Sequence, residues 1–416
     1  MRKTKSFHIS KQVFWDAFKR VKANRGSAGV DQQEIKDFEK NLEDNLYKVW
    51  NRMSSGTYFP QPVLRVEIPK PDGRMRPLGI PTITDRIAQM VVKFHLEPTL
   101  EQHFHVDSYG YRPNKSAEQA IKVTRQRCWQ FDWVIDLDIK GFFDNIDHDL
   151  LMKAVRKHTD ESWILLYIER WLKPPVRFPD GSQKMSDTGT PQGGVISPLL
   201  ANLFLHYTFD IWMSRNYPVN PFERYADDVV VHCKTLVEAE HLKSAITTRM
   251  RECKLELHPE KTKIVYCKDD NRKENYHQTG FDFLSFTFRN RTCKRRDGKL
   301  FNGFNPAVSL KSRKVMMDKI RKWKVHRKSD KTIFDIGRMC NPVFRGWYNY
   351  FRCVNPSETY LVFKYFNSIL YRWGRRKYKR LQSRKRFFNW MKRIRAKFPN
   401  LFIYWQLAGV GVRTVQ

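Results

Sequence analysis

Apolar residues recur at helical spacing through residues 8–55, as at Val13, Phe14, Ala17, Phe18 and Val21, and predict a mainly helical opening. The stretch Asn24-Arg-Gly-Ser-Ala-Gly-Val-Asp31 interrupts it as a glycine-containing loop. At 63–68 the period changes to the alternation of a strand, and Pro69–Arg74 turns the chain. A helix is predicted over 84–99, a buried strand over 133–139 ending at Lys140-Gly141, and helix again over 148–173. Ser197-Pro198, a cap followed by proline in the first turn, opens a helix over 197–215. Phe222–His232 places two carboxylates between strand-forming residues and predicts a β-hairpin with Asp227 and Asp228 at or near its turn. A helix over 236–253 and a strand over 281–288 follow, and beyond about residue 305 the pattern is helical and basic. Strands among helices, closing in a helical stretch, predict an α+β fold.

Composition narrows what such a fold serves. The chain has 416 residues, 41% apolar and 14% aromatic, enough for two or three domains with a sizeable core. It contains no run of about 18 uncharged apolar residues, which argues against a membrane span. The N-terminus, Met1-Arg-Lys-Thr-Lys-Ser-Phe-His, lacks the apolar segment of a secretory signal, and the 7 cysteines are scattered without zinc or disulfide spacing. A reducing cytoplasm is the compartment expected. Of a net charge of +34, residues 289–416 carry +29, interleaved with Trp323, Trp347, Tyr348, Tyr350, Phe351, Tyr371, Trp373, Tyr378, Phe387, Phe388 and Trp390. Cations mixed with aromatics fit a structured binder of nucleic acid better than a loose tail. An anionic membrane surface suits it less, because no long helix here shows one clean apolar face.

The candidate chemistry is acidic and lies ahead of that basic third. Two adjacent carboxylates, Asp227 and Asp228, repel one another and are best tolerated around divalent cations, the apparatus of nucleotidyl transfer. A surface turn uses Asp as readily. Asp136 and Asp138 share one face of the predicted strand at 133–139, and a carboxylate ending a buried strand needs a partner or a metal. One carboxylate from this strand and two from the later hairpin make a plausible metal cradle. Between them, Gly189-Thr-Pro-Gln-Gly-Gly-Val-Ile-Ser-Pro198 lets a ligand approach the backbone closely, with Gln192 able to donate and accept hydrogen bonds; an ordinary loop before a helix has the same composition. Upstream, Lys70, Arg74 and Arg76 surround a turn that could hold a triphosphate or simply be solvated.

These segments, in order, resemble the blocks of reverse transcriptases encoded by bacterial group II introns. Arg76-Pro-Leu-Gly-Ile-Pro-Thr-Ile-Thr-Asp-Arg-Ile-Ala-Gln89 resembles the first block and Ser108-Tyr-Gly-Tyr-Arg-Pro-Asn-Lys-Ser116 the second. Asp138-Ile-Lys-Gly-Phe-Phe-Asp-Asn-Ile-Asp147, Thr190–Pro198 and Tyr225-Ala-Asp-Asp228 resemble the next three, and Leu257–Thr262 and Phe281–Phe286 the last two. Val21–Asp31 is similar to the extension these enzymes carry in front, and Phe344-Arg-Gly-Trp-Tyr-Asn-Tyr-Phe351 to their maturase, or thumb, signature.

The resemblance implies a right-hand polymerase. It divides the chain into a helical extension (1–60), fingers and palm with an antiparallel sheet (61–300), an all-helical thumb or maturase domain (301–380) and a basic C-terminal extension (381–416). It implies that Asp138, Asp227 and Asp228, with the carbonyl of Ile139, bind two magnesium ions. Lys70 and Arg76 would clamp the phosphates, Phe143 would stack under the sugar and exclude a 2′-hydroxyl, and Gln192 would touch the incoming nucleotide. Lys261 would contact phosphate or protonate pyrophosphate. Arg375, Arg376, Lys377, Lys379 and Arg380 are the basic cluster expected to bind RNA.

The partners implied are intron or template RNA, primer or target DNA and deoxynucleotides, with no membrane; a homodimer is compatible. The place of work is the cytoplasm, on nucleoid or ribonucleoprotein. Ser285 departs from the family, which usually has glycine there, as do Gln32 and Gln33 after Asp31, and no His/Asn/Cys endonuclease pattern follows the thumb signature. The alternatives are a free-standing relative in host defence or DNA repair, and a maturase that only binds RNA. Retention of three aspartates argues against the last, since RNA binding needs no metal trio.

Overall fold

The computed structural model describes residues 6–69, 75–185, 187–294, 297–354 and 357–409. The chain forms two compact units: residues 1–120 with 133–264, and residues 121–132 with 265–416. Together they are a mixed α+β protein with a helical C-terminal region.

In the first unit, the opening helices Lys11–Ala23, Ile35–Lys40 and Leu42–Ser54 bury their apolar faces, including Phe14, Phe18, Phe38, Leu46 and Val49. The strand Val63–Pro69 pairs antiparallel with Met75–Ile80, setting Ile68 opposite Arg76, and parallel with Val176–Arg177. Helix Ile83–Glu101 follows, capped by Thr82, whose hydroxyl accepts from the Asp85 amide. From Asp85 to Val92 it is buried on every face, as a core helix is, and beyond Val92 only Leu96 and Leu100 are buried.

A second sheet carries the acids. Phe222–Tyr225 and Asp228–Cys233 form an antiparallel hairpin, and the second of these strands pairs antiparallel with Trp133–Asp138. Val229, Val230 and Val231 are continuously buried, as expected of a strand covered on both faces.

Two expected helices are interrupted. The stretch 148–173 is two helices, His148–Val155 and Ser162–Leu172. At the break, the Thr159 hydroxyl accepts from the Glu161 amide, offering the backbone an alternative to the helical bond. The helix begun at Ser197 runs to Leu205, widens into a π-turn over His206–Asp210, and resumes over Ile211–Asn216. The wider turn brings Asp210 wholly into the interior, where Arg224 meets it.

The second unit has a three-stranded antiparallel sheet of Gly280–Phe283, Phe286–Lys294 and Leu300–Val308. The single strand expected over 281–288 is therefore a hairpin. Phe283 pairs with Phe286 across two residues, Leu284 and Ser285, with φ of +47° and +71°. Two left-handed residues make the twist that a two-residue hairpin needs, and that turn overrode the alternating apolar pattern. Helices Leu310–Lys322, Ile333–Phe351, Ser357–Lys377 and Arg384–Lys397 follow. They pack around Phe344, Phe366 and Trp373, all fully buried, with Trp323 edge-on to both phenylalanines.

Ser285 carries a left-handed strain that glycine does not. Ser285→Gly is expected to stabilise the protein by roughly 0.5–1 kcal/mol, read as a higher midpoint in thermal or urea denaturation. An unchanged or lower midpoint would show that the turn relaxes in some other way.

Candidate active site

The register of the second sheet sets Asp138 opposite Asp228, and Tyr225 opposite Asp228 closes a two-residue loop of Ala226 and Asp227. Opposed residues of an antiparallel pair project to the same face, roughly 5 Å apart at Cβ. Three carboxylates thus meet at one corner. Asp228 is exposed by surface area, yet protein crowds its carboxylate. That loss of water, then repulsion from Asp227 and Asp138, pushes its pKa up to about 7. Burial raises Asp227 as well and Asp138 adds to the effect, against the pull of Arg76 and Lys261.

The segment after helix Leu236–Glu252 returns beside Asp138. The Lys140 amide donates to the Glu256 carbonyl (2.8 Å) and the His258 amide to the Asp138 carbonyl (2.7 Å). These bonds flank Ile139 and use neither its N–H nor its carbonyl. The same return delivers Lys261, whose Nζ stands 2.5 Å from Asp138 Oδ2.

The loop 189–194 packs against the remaining candidates. The Thr190 amide donates to the Phe143 carbonyl (2.8 Å), and the Gly79 amide to the Gln192 carbonyl (2.6 Å). The Gln192 side chain accepts from Arg76 Nε (3.0 Å) and donates to Asp144 Oδ1 (3.4 Å). Gly189 has a φ of +85°, and a Cβ there would stand 2.8 Å from the Phe143 carbonyl oxygen, so only glycine lets the loop lie this close.

Arg76, Asp138, Ile139, Phe143, Gln192, Asp227, Asp228 and Lys261 all belong to the first unit. Lys70 and Arg74 lie outside the described residues. Arg375, Arg376, Lys377, Lys379 and Arg380 belong to the second unit, at the end of helix Ser357–Lys377 and in the turn after it. Four of these are exposed; Lys377 is half-buried, its ammonium donating to the carbonyls of Ser329 (2.7 Å) and Lys331 (2.8 Å).

Sequence reasoning passed over Tyr111 and Gly110, although both fall in a block it singled out. Burial raises the Tyr111 hydroxyl, and Asp227 nearby raises it further. Gly110 touches the acidic turn itself: a Cβ there would stand 2.4 Å from the Ala226 nitrogen. The missed signal is a glycine between two tyrosines, which marks a backbone approach without saying to what.

Among the described residues, no group of three or more His, Cys, Asp or Glu side chains is gathered tightly enough to hold a metal ion as it stands. The donor set nevertheless fits one. Three carboxylates and the carbonyl of Ile139 are all hard oxygen donors, the kind magnesium takes. Their mutual repulsion is relieved by added positive charge, and Lys261 already supplies one such charge at Asp138.

Three aspartates at one sheet corner beside a glycine loop and the strand bearing Arg76 are of the kind that nucleotidyl transfer uses, and family comparison says which family the chain belongs to. Residues 68–288 match the reverse transcriptase (RNA-dependent DNA polymerase) family, and residues 313–391 match the group II intron maturase-specific domain. The chain belongs to the reverse transcriptases, within their group II intron branch. It is 32% identical over 279 residues to protein YkfC of Escherichia coli (strain K12), covering 58% of this chain and 73% of that protein. It is 35% identical over 197 residues to the group II intron-encoded protein LtrA of Lactococcus lactis subsp. cremoris, covering 47% of this chain and 32% of LtrA. The match thus spans about three quarters of one relative and a third of the other. No helix among the described residues is long and apolar enough to cross a membrane.

Gly193 has a φ of +122°, and a Cβ there would stand 2.3 Å from the Gly79 carbonyl oxygen. Gly193→Ala should cost roughly 2–4 kcal/mol of stability through backbone strain and overpacking together, measured by denaturation. A variant as stable as its parent would mean that loop and strand are not held together here.

Proposed function

We propose that this protein copies RNA into DNA at the corner formed by Asp138, Asp227 and Asp228, and that its basic second unit binds intron RNA, assisting splicing and retrohoming. The observation that carries the reading is the strand register that opposes Asp138 and Asp228 next to the Asp227 turn, in a chain of the reverse transcriptase family. In this reading residues 61–300 supply fingers and palm and residues 301–380 the thumb. The work is done on a cytoplasmic ribonucleoprotein.

Asp138, Asp227, Asp228 and the Ile139 carbonyl would hold two magnesium ions. Bound there, the ions supply a lowered pKa for the primer 3′-hydroxyl and a charge sink for the departing pyrophosphate. The chain's own residues do the rest. Arg76, held by Gln192 before substrate arrives, turns its guanidinium to the triphosphate. Lys261 would exchange Asp138 for phosphate or protonate the leaving pyrophosphate. Lys70, in the turn ahead of the first block, joins this clamp by the family resemblance. The buried ring of Phe143 forms the floor beneath the sugar and leaves no room for a 2′-hydroxyl, and Gln192 touches the sugar or base.

Asp227→Ala should lower primer extension on an RNA template by roughly a thousandfold or more, while RNA affinity stays near that of the parent. A variant that still extends primers would remove Asp227 from the reaction.

Replacing Arg375, Arg376, Lys379 and Arg380 together by alanine should flatten the salt dependence of RNA binding, by about 0.7 in log–log slope for each phosphate no longer neutralised. An unchanged slope would take the cluster out of the RNA footprint. Lys377→Ala is expected to behave differently, lowering thermal stability with little effect on the slope, because its ammonium is bound to two carbonyls.

A further inference from the structure

Behind the acidic turn lies a buried polar network outside the metal cradle. Arg224 and Asp210 are both 0% exposed. Arg224 Nε donates to Asp210 Oδ1 (2.7 Å) and Nη2 to Oδ2 (2.6 Å), a bidentate pair. The third nitrogen forks. Nη1 donates to Asn202 Oδ1 (3.0 Å) and to the carbonyl of Ala226 (3.2 Å), the first residue of the acidic loop. Asn202 in turn donates from Nδ2 to the Gly110 carbonyl (2.6 Å), and Gly110 is the residue pressed against Ala226. The Arg224 backbone completes the enclosure: its amide donates to the Asp107 carbonyl (2.9 Å), and its carbonyl accepts from the Tyr109 amide (2.8 Å).

Two features separate this network from ordinary packing. A buried ion pair is seldom better for stability than apolar side chains of the same volume, so folding alone does not call for it. Ala226 meanwhile holds a φ of +58°, a strained conformation that persists only where the surroundings fix it from several sides. Here its carbonyl is fixed by Arg224 and its nitrogen is walled by Gly110. The π-turn at His206–Asp210 is what brings the counter-charge under Arg224, and such turns recur at functional sites.

We infer that Asp210, Arg224 and Asn202 form a brace that sets where Asp227 and Asp228 stand relative to Asp138. They are positioning residues for the proposed polymerase reaction, and the inference rests on that reading of the aspartates. The brace acts through the Ala226 carbonyl and the 107–110 backbone and touches no substrate. Loosening it should therefore slow turnover while leaving nucleotide binding through Arg76 and Gln192 in place.

The test uses the full chain carrying Asp210→Leu with Arg224→Met, which replaces the pair by apolar side chains of similar volume. Three quantities are read: the thermal midpoint, amide hydrogen exchange across residues 225–229, and kcat and KM for the deoxynucleotide in primer extension. A brace predicts a midpoint near the parent's, faster exchange confined to the turn, and a kcat lower by about a hundredfold with KM little changed, the penalty of an ångström-scale misplacement. Parental exchange and kcat in the folded double variant would overturn the proposal. Should that variant fail to fold, Asn202→Ser keeps the ion pair and removes the Asn202 carboxamide that links Arg224 to the Gly110 carbonyl. It should quicken exchange in the turn and lower kcat by about tenfold, and parental values for both would again overturn the brace. A parent protein that extends no primer would sink the polymerase reading instead, and the exchange comparison would still decide the brace.

Discussion

The first unit is organised around an unfavourable interaction. Three carboxylates are forced to one corner of a sheet because strand pairing allows Asp138 no other opposite than Asp228. Hydrogen bonds of the ladder and the burial of Val229, Val230 and Val231 hold the register, and the like charges have to accept it. Burial first, and repulsion between the carboxylates after it, raises the pKa values of Asp227 and Asp228, while Lys261 pairs with Asp138.

Close backbone approach serves the same corner. Gly110 against Ala226, Gly189 against Phe143 and Gly193 against Gly79 bring loops nearer than any side chain permits. They hold the acidic turn against residue 110, and the 189–194 loop against Phe143 and the strand bearing Arg76. The second unit solves a different problem. Its core is aromatic, with Phe344 edge-on to Phe366 and Trp373 against Tyr378 and Trp390, which leaves most of its cations to the surface. Lys377 is an instructive exception: it adds to the charge of the sequence but is held by two carbonyls in the fold.

Much of this was legible beforehand. Acids at strand ends and turns, a glycine pair before a capped helix, and a basic aromatic final third are local patterns, and local patterns survive folding. The α+β class followed from them, and the motif order led to the family. What was not legible depends on partners far away in sequence. Nothing adjacent to Asn202, Asp210 or Arg224 says that they meet, because the π-turn that joins them is one residue out of step with ordinary helical periodicity. The Leu284-Ser285 turn was hidden for the opposite reason. Its flanks alternate so regularly that the pattern reads straight through it, and neither residue is one that usually takes left-handed backbone.

The helix end at residues 121–132 belongs to the second unit although most of that unit lies beyond residue 264. Its Arg125 donates to Asn305 Oδ1 and its Trp129 Nε1 to the Phe304 carbonyl, partners 180 and 175 residues further on. On the ribosome, where a chain grows by about 5–20 residues per second, this segment waits roughly ten to forty seconds for them to be made. During that interval Arg125 and Trp129 have neither Asn305 nor the Phe304 carbonyl to bind. The nascent chain thus carries a helix end without its eventual partners while a further 180 of its 416 residues are added.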